Sequence, residues 1–230
     1  MASIGVTEAW GWRVRKARAA RFSTALFAAI ILASAFESGD ARAQFVCNPS
    51  ITPGANENVT CMISADIGGP FLTGATGTGN ATVVNLPAGI ADSITTSAED
   101  GNATTRNFGQ VFDYIRTTIS GGGNATTFNA GTGIVGGNIF TAANSGTAVT
   151  QNAGATDSIT TVSVFGNAVT INAGSVPNFF SSSPLPVFPP PGIFTASFVG
   201  DATPINTGYV GGGLFGSGII TAPGLSGGTG

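Results

Sequence analysis

The chain has 230 residues, of which only 8% are charged, and it contains no histidine, which excludes every Ser-His catalytic pair. Six of its eight basic residues lie in the first 43, so residues 44–230 carry two basic and eight acidic side chains, a formal charge of −6. Because a phosphate backbone is bound through Lys and Arg, this balance predicts no nucleic-acid partner and no electrostatic docking on anionic membranes.

The first 43 residues have the organisation of a bacterial secretory signal peptide. A basic segment that ends at Arg21 precedes 15 apolar residues, 22–36, and an Ala-x-Ala sequence at 41–43 stands before Gln44. This order predicts cleavage after residue 43 and export across the bacterial inner membrane. An uncleaved membrane anchor is the alternative, although the apolar segment is shorter than the ~20 residues that span a bilayer.

Two cysteines, Cys47 and Cys61, stand near the start of the exported part. In an exported chain a close pair of cysteines is most simply a disulfide. On the chain-entropy model it would stabilise the fold by roughly 3 kcal/mol. Metal binding is the alternative, but two thiols without histidine make a poor site, so we expect neither a metal nor a cofactor.

A short phrase then recurs at a nearly constant interval. The frame Asn-x-Thr begins every 22 residues, at Asn58, Asn80, Asn102 and Asn124. The phrase returns as GNAVTIN at 166–172. In each copy a column of small residues alternates with a column that admits Arg106, Phe128 and Gln151. Since side chains alternate faces along a strand, the small column is predicted to face inward and the variable column outward.

This interval predicts an all-β fold, a parallel β-solenoid with coils of about 22 residues that stack by ~4.8 Å each. A second strand in each coil carries DSITT at 92–96 and 157–161, and DYIRTT at 113–118. It aligns Ile94 and Ile115 in an apolar interior column, which Ile159 continues. A sandwich of hairpins is the alternative, but its strands are not equivalent and would not repeat one phrase.

The asparagines that end the strands are predicted to form a structural ladder at an interior corner. They are Asn85, Asn107, Asn129, Asn152 and Asn172. Stacked amides can hydrogen-bond to one another and to turn backbone. The alternative is that asparagine is present as a turn residue that tolerates left-handed backbone.

Beyond residue 180 the repeat fades, so the solenoid domain is assigned to 44–180. Residues 181–192 are proline-rich and are predicted to be a linker or a cap. Residues 193–230 form a Gly-rich tail that has the composition of truncated further coils. This segment has the residue pattern of strands in IFTASFVG and in LFGSGIITA.

The opening CNPSITPGANENVTC after an ARA-Q cleavage site, followed by coils of GNAT…N…DSITT, resembles the passenger domains of bacterial autotransporters and related surface β-helix adhesins. The resemblance covers 44–180 and implies a right-handed parallel β-helix, secreted or displayed at the cell outer membrane. We predict a non-catalytic adhesion or structural role, with a protein or glycan of a host surface or matrix as ligand. Such proteins carry a C-terminal outer-membrane barrel, which 193–230 does not supply, so membrane association would depend on the signal peptide or on a barrel outside this chain.

A catalytic alternative rests on Asp92 and Asp113. If their strands stack in register, the two carboxylates lie on adjacent rungs roughly 5 Å apart, close to the separation in retaining glycosidases. Like charges so close would raise one pKa and create an acid and a base for polysaccharide cleavage. Asp at a strand edge is more commonly a turn former. A further binding candidate is an outward threonine array of Thr95, Thr118 and Thr160.

Overall fold

The computed structural model describes residues 45–48, 54–177, 192–211 and 219–222. All of them belong to one compact unit, 43–230. Within these residues every regular element is a β-strand. The predicted signal peptide and almost all of the proline-rich segment lie outside the described residues.

The strands form two sheets between which the chain alternates. The first sheet has eight strands, in the order β1 Phe45–Asn48, β2 Val59–Ile63, β4 Ala81–Asn85, β7 Ala103–Asn107, β10 Ala125–Asn129, β12 Ala148–Asn152, β14 Ala168–Asn172 and β17 Ala202–Asn206. The second sheet has eleven: β3 Phe71–Ala75, β5 Ile90–Ala91, β6 Ile94–Ala98, β8 Gln110–Val111, β9 Ile115–Ile119, β11 Ile134–Ala143, β13 Ala155–Ser163, β15 Ser175–Val176, β16 Ile193–Ser197, β18 Tyr209–Val210 and β19 Ile219–Ala222.

Equivalent residues of successive coils stack in register. In the first sheet the leading alanines of five strands lie in file and are fully buried: Ala81, Ala103, Ala125, Ala148 and Ala168. All pairs in this sheet are parallel except β1 with β2. A sandwich of hairpins would pair its strands antiparallel. The predicted all-β solenoid with coils of about 22 residues is therefore confirmed.

The second sheet supplies the larger apolar side chains of the core. A column of fully buried isoleucines runs through Ile94, Ile115, Ile139, Ile159 and Ile193. Each such side chain contributes about 1.5–3 kcal/mol through its removal from water. The inward column of the first sheet begins with alanine in β7, whereas that of the second sheet begins with isoleucine in β9. The predicted isoleucine column is confirmed, and Ile139 and Ile193 lengthen it.

The coils are equal in length only in the first part of the solenoid. Ala81, Ala103 and Ala125 are 22 residues apart, whereas the next steps, to Ala148 and Ala168, are 23 and 20 residues. The step from Ala168 to its partner Ala202 is 34 residues, because the proline-rich segment lies inside that coil. β16, β17 and β18 continue the same two sheets beyond residue 192.

The glycines that precede Asn102 and Asn124 are required by the tight stacking of the corners. A Cβ atom on Gly101 would collide with the carbonyl oxygen of Gly79 one coil earlier, and one on Gly123 would collide with that of Gly101. Only glycine permits so close an approach of two backbones. This explains the first letter of the repeated phrase GNAT.

The strand β17 places a proline on the edge of the first sheet. Ala168 N donates to Asp201 O at 2.8 Å, and at the other end of the strand Thr207 N donates to Asn172 O at 2.8 Å. In a parallel pair the residues that alternate with these point away from the partner. The nitrogen of Pro204 therefore faces the side where no described strand pairs, and its missing N–H breaks no bond to β14.

Candidate binding face and interior ladders

The predicted disulfide joins a capping strand to the first coil. β1 runs antiparallel to β2 and places Cys47 opposite Cys61, and the two sulfurs are bonded at 2.03 Å. The ring of Phe45 lies edge-on to that of Phe71, with centroids 5.2 Å apart. An open edge strand can pair with strands of other chains. The disulfide holds β1 against β2, so the edge of β2 is already paired.

The predicted asparagines form a continuous hydrogen-bonded ladder inside the solenoid. The Nδ2 of each amide donates to the Oδ1 of the next, at 2.7–2.8 Å, through Asn85, Asn107, Asn129, Asn152, Asn172 and Asn206. The first five are buried. At the start of the ladder, the residue in register with Asn85 one coil earlier is Ile63, whose side chain has no amide group. As a consequence the buried Oδ1 of Asn85 has no hydrogen-bond partner.

A second asparagine ladder lies at the exposed corner before the strands of the first sheet. It consists of Asn58, Asn80, Asn102 and Asn124. Here each Nδ2 donates to the Oδ1 of the preceding coil, the opposite direction to the interior ladder. The backbone N–H of the later residue donates to the same Oδ1, at 2.8–3.0 Å. The recurring Asn-x-Thr frame thus has a structural cause that the sequence reasoning missed.

Threonine hydroxyls form a third chain of contacts through the core. The chain runs through Thr96, Thr105, Thr117, Thr127, Thr141, Thr150, Thr161, Thr170 and Thr195, with oxygens 2.7–2.8 Å apart. Consecutive members belong alternately to the two sheets, and all nine are fully buried. A buried hydroxyl must be hydrogen-bonded to avoid a penalty. The two sheets are therefore joined by polar contacts as well as by apolar packing.

The outer face of the first sheet carries the predicted variable column. In register from coil to coil lie Val84, Arg106, Phe128, Gln151 and Ile171. A shallow groove of about 470 Å³ opens here, lined by Thr104, Arg106, Phe108, Thr126, Phe128 and Gln151. The rings of Phe108 and Phe128 are tilted by 59° with centroids 6.0 Å apart. The groove combines a contacting pair of aromatic rings with one cation and several neutral hydrogen-bonding groups.

The two arginines of residues 44–230 lie on different faces and in different surroundings. On the second sheet, the Arg116 guanidinium carbon lies 5.6 Å from the centroid of the Phe140 ring, a cation–π contact. Arg106 is exposed and makes no ion pair or cation–π contact with the described residues. The guanidinium without a cation–π partner among the described residues is therefore the one in the groove.

The two aspartates of the catalytic alternative lie on adjacent rungs. Asp113 N donates to Asp92 O at 2.7 Å, and both side chains are exposed. Asp157, two coils beyond Asp113, is half-buried, and this burial raises the pKa of its carboxyl above the ordinary value of 3.8. Among the described residues no group of three or more His, Cys, Asp or Glu side chains could hold a metal ion.

The three outward threonines considered as an array are not brought into one column. Thr95 is in register with Arg116, and the same column continues to Phe140 and Thr160. Thr118 belongs to the neighbouring column. An array that orders water on this face is therefore interrupted by a charged and an aromatic side chain.

No family model matches this chain, and no match was found among the curated proteins or the solved structures. The β-solenoid fold is the part of the autotransporter resemblance that the structure supports. Within the described ranges, no helix is long and apolar enough to cross a membrane.

Proposed function

We propose that this protein is an exported, non-catalytic β-solenoid that binds ligands on the outer face of its first sheet, in an adhesion or structural role at a cell surface or matrix. The observation that carries this proposal is the groove around Arg106, an open aromatic and cationic surface on a regular sheet. Binding residues held on strands are positioned more rigidly than residues on loops. A rigid face of this kind suits recognition of an extended ligand.

The part of the interior that the structure describes offers no competing site. Its amides and hydroxyls are engaged in the asparagine ladder and the threonine chain, with the Oδ1 of Asn85 as the exception among the described residues. Export is supported by the order of the first 43 residues and by the Cys47–Cys61 bond, since disulfides persist in oxidising compartments.

The proposal is tested by producing the full chain in a bacterial host and recovering it outside the inner membrane. Mass spectrometry should give a mature N-terminus at Gln44. Binding to immobilised matrix proteins and polysaccharides should fall when Phe128→Ala is introduced, while the circular dichroism spectrum stays unchanged. Retention of the chain in the cytoplasm, or binding that is indifferent to this face, would contradict the proposal.

A second candidate function is polysaccharide cleavage, favoured by the adjacent-rung placement of Asp92 and Asp113. It predicts release of reducing sugars that is lost in the double variant Asp92→Asn/Asp113→Asn. Equal release by both proteins, or none from the native protein on a panel of polysaccharides, would remove this candidate and leave the binding role.

A further inference from the structure

We propose that the groove around Arg106 binds a carboxylate on a sugar unit of an acidic polysaccharide. This inference rests on the proposed binding function and names the ligand class for that same face. The partner is identified by three features of the groove: its isolated cation, its pair of aromatic rings, and the pairing of the sheet backbone beneath it.

The cation selects an anionic group. A guanidinium presents a planar fork of donors that matches a carboxylate in two parallel hydrogen bonds. Arg106 is not engaged by any carboxylate of the described residues. The outward positions of β2, β4, β7, β10, β12, β14 and β17 contain no Asp or Glu. Although the exported part is acidic as a whole, this face therefore does not repel a single negative charge.

The walls select a sugar rather than a small ion. Phe108 and Phe128, whose ring centroids are 6.0 Å apart, together offer an apolar surface against which the C–H face of a pyranose ring can pack. Gln151, Thr104 and Thr126 supply donors and acceptors for neighbouring hydroxyl groups. Mostly apolar walls with a few placed polar groups are the usual composition of a ligand site.

The backbone beneath the groove disfavours a peptide. Peptides in extended conformation commonly bind by adding a strand to an open sheet edge. The groove lies on the face of β7, β10 and β12, each of which is already paired on both sides. It crosses three coils, about 10 Å at ~4.8 Å per coil, and is open at the surface, so a polymer can enter and leave across it.

The test uses polygalacturonate, a uronate polymer, and its methyl-esterified form, which has the same backbone with masked carboxylates. Binding of the exported protein is measured by biolayer interferometry for the native chain, Arg106→Gln and Arg116→Gln. We expect Arg106→Gln to weaken binding to polygalacturonate by roughly tenfold or more, as for a lost charge-assisted contact. Arg116→Gln, the matched change on the other face, should have little effect, and the esterified polymer should bind the native protein as weakly as the free-acid polymer binds Arg106→Gln.

Three outcomes would overturn the inference. The two arginine variants could lose affinity equally, the esterified polymer could bind as well as the free acid, or poly-glutamate could bind as tightly as polygalacturonate, which would indicate an acidic protein partner. Any of these results together with a loss of matrix binding in Phe128→Ala would leave the proposed function standing. A protein that binds nothing through this face would refute both.

Discussion

The position of an asparagine within the interior ladder should decide how much its removal costs. Asn129, in the middle, accepts a bond from Asn107 at 2.8 Å and donates one to Asn152 at 2.8 Å. Asn129→Leu leaves the Nδ2 of Asn107 and the Oδ1 of Asn152 unpaired. A buried polar group without a partner costs about 1–3 kcal/mol, so two of them should lower the free energy of unfolding by ~2–6 kcal/mol.

The matched change at the start of the ladder should cost far less. Asn85→Leu removes an Oδ1 that is already unpaired. The Oδ1 of Asn107, which loses its donor from Asn85, still lies 3.3 Å from the N–H of Gly109. Asn85→Leu removes the penalty of the unpaired Asn85 Oδ1 and only weakens the hydrogen bonding of the Asn107 Oδ1. We therefore expect the free energy of unfolding to fall by about 0–1 kcal/mol.

Guanidinium chloride unfolding, followed by circular dichroism, measures both variants against the native chain. Equal slopes with different midpoints would show that stability, and not compactness, has changed. The two variants share the same change of shape, so a difference between them reports the hydrogen bonds. If Asn85→Leu proves as costly as Asn129→Leu, the ladder does not contribute as a chain of directional bonds, and the reasoning fails.

Three further predictions concern the other polar features. Thr127→Val interrupts the buried hydroxyl chain and should lower the free energy of unfolding in urea by about 1–2 kcal/mol. Thr126→Val, on the outer face, should change it by no more than about 0.5 kcal/mol. Equal losses in the two variants would contradict a stabilising role for the hydroxyl chain. Because burial raises the pKa of Asp157, the folded state favours the protonated form of this side chain. The contribution of Asp157 to the free energy of unfolding is therefore fully present below the ordinary pKa of 3.8 and is lost as the pH rises. Asp157→Asn should therefore raise the melting temperature at pH 7 but not at pH 3, and a gain confined to acid would reverse the argument. Replacing Cys47 and Cys61 by serine should lower stability by roughly 3 kcal/mol, and an unchanged unfolding midpoint would show that the cap is dispensable.

The coils of constant length could be predicted from the sequence, because the interval between equivalent residues determines which residues stack in register. Alternation along GNATTRN predicted which side chains face inward, and the 22-residue interval predicted which of them stack. The interval fails after Ala168, where an inserted segment lengthens the coil to 34 residues, and so the contribution of β16 to β18 could not be read from periodicity.

The polar chains were harder to predict, for two different reasons. The threonine chain crosses between sheets, and the distance between Thr127 and Thr141 depends on how two strands of one coil face each other, which no spacing along a single strand reveals. The exposed asparagine ladder was visible as a pattern at Asn58 and Asn80, but its donors include backbone N–H groups whose direction requires the turn geometry. In the groove, Arg106 and Phe128 were expected outside, whereas Phe108 joins them from beyond the strand end.

The proline of β17 has a consequence for how such a protein behaves at high density. A column of identical coils would, if both its ends were bare, grow by adding copies of itself into a filament. At the described start of the first sheet a reversed, disulfide-bonded strand pairs with β2, and in the last described strand of that sheet Pro204 has no N–H to donate to a further strand. Both features disfavour the addition of another chain to the described edges of this sheet.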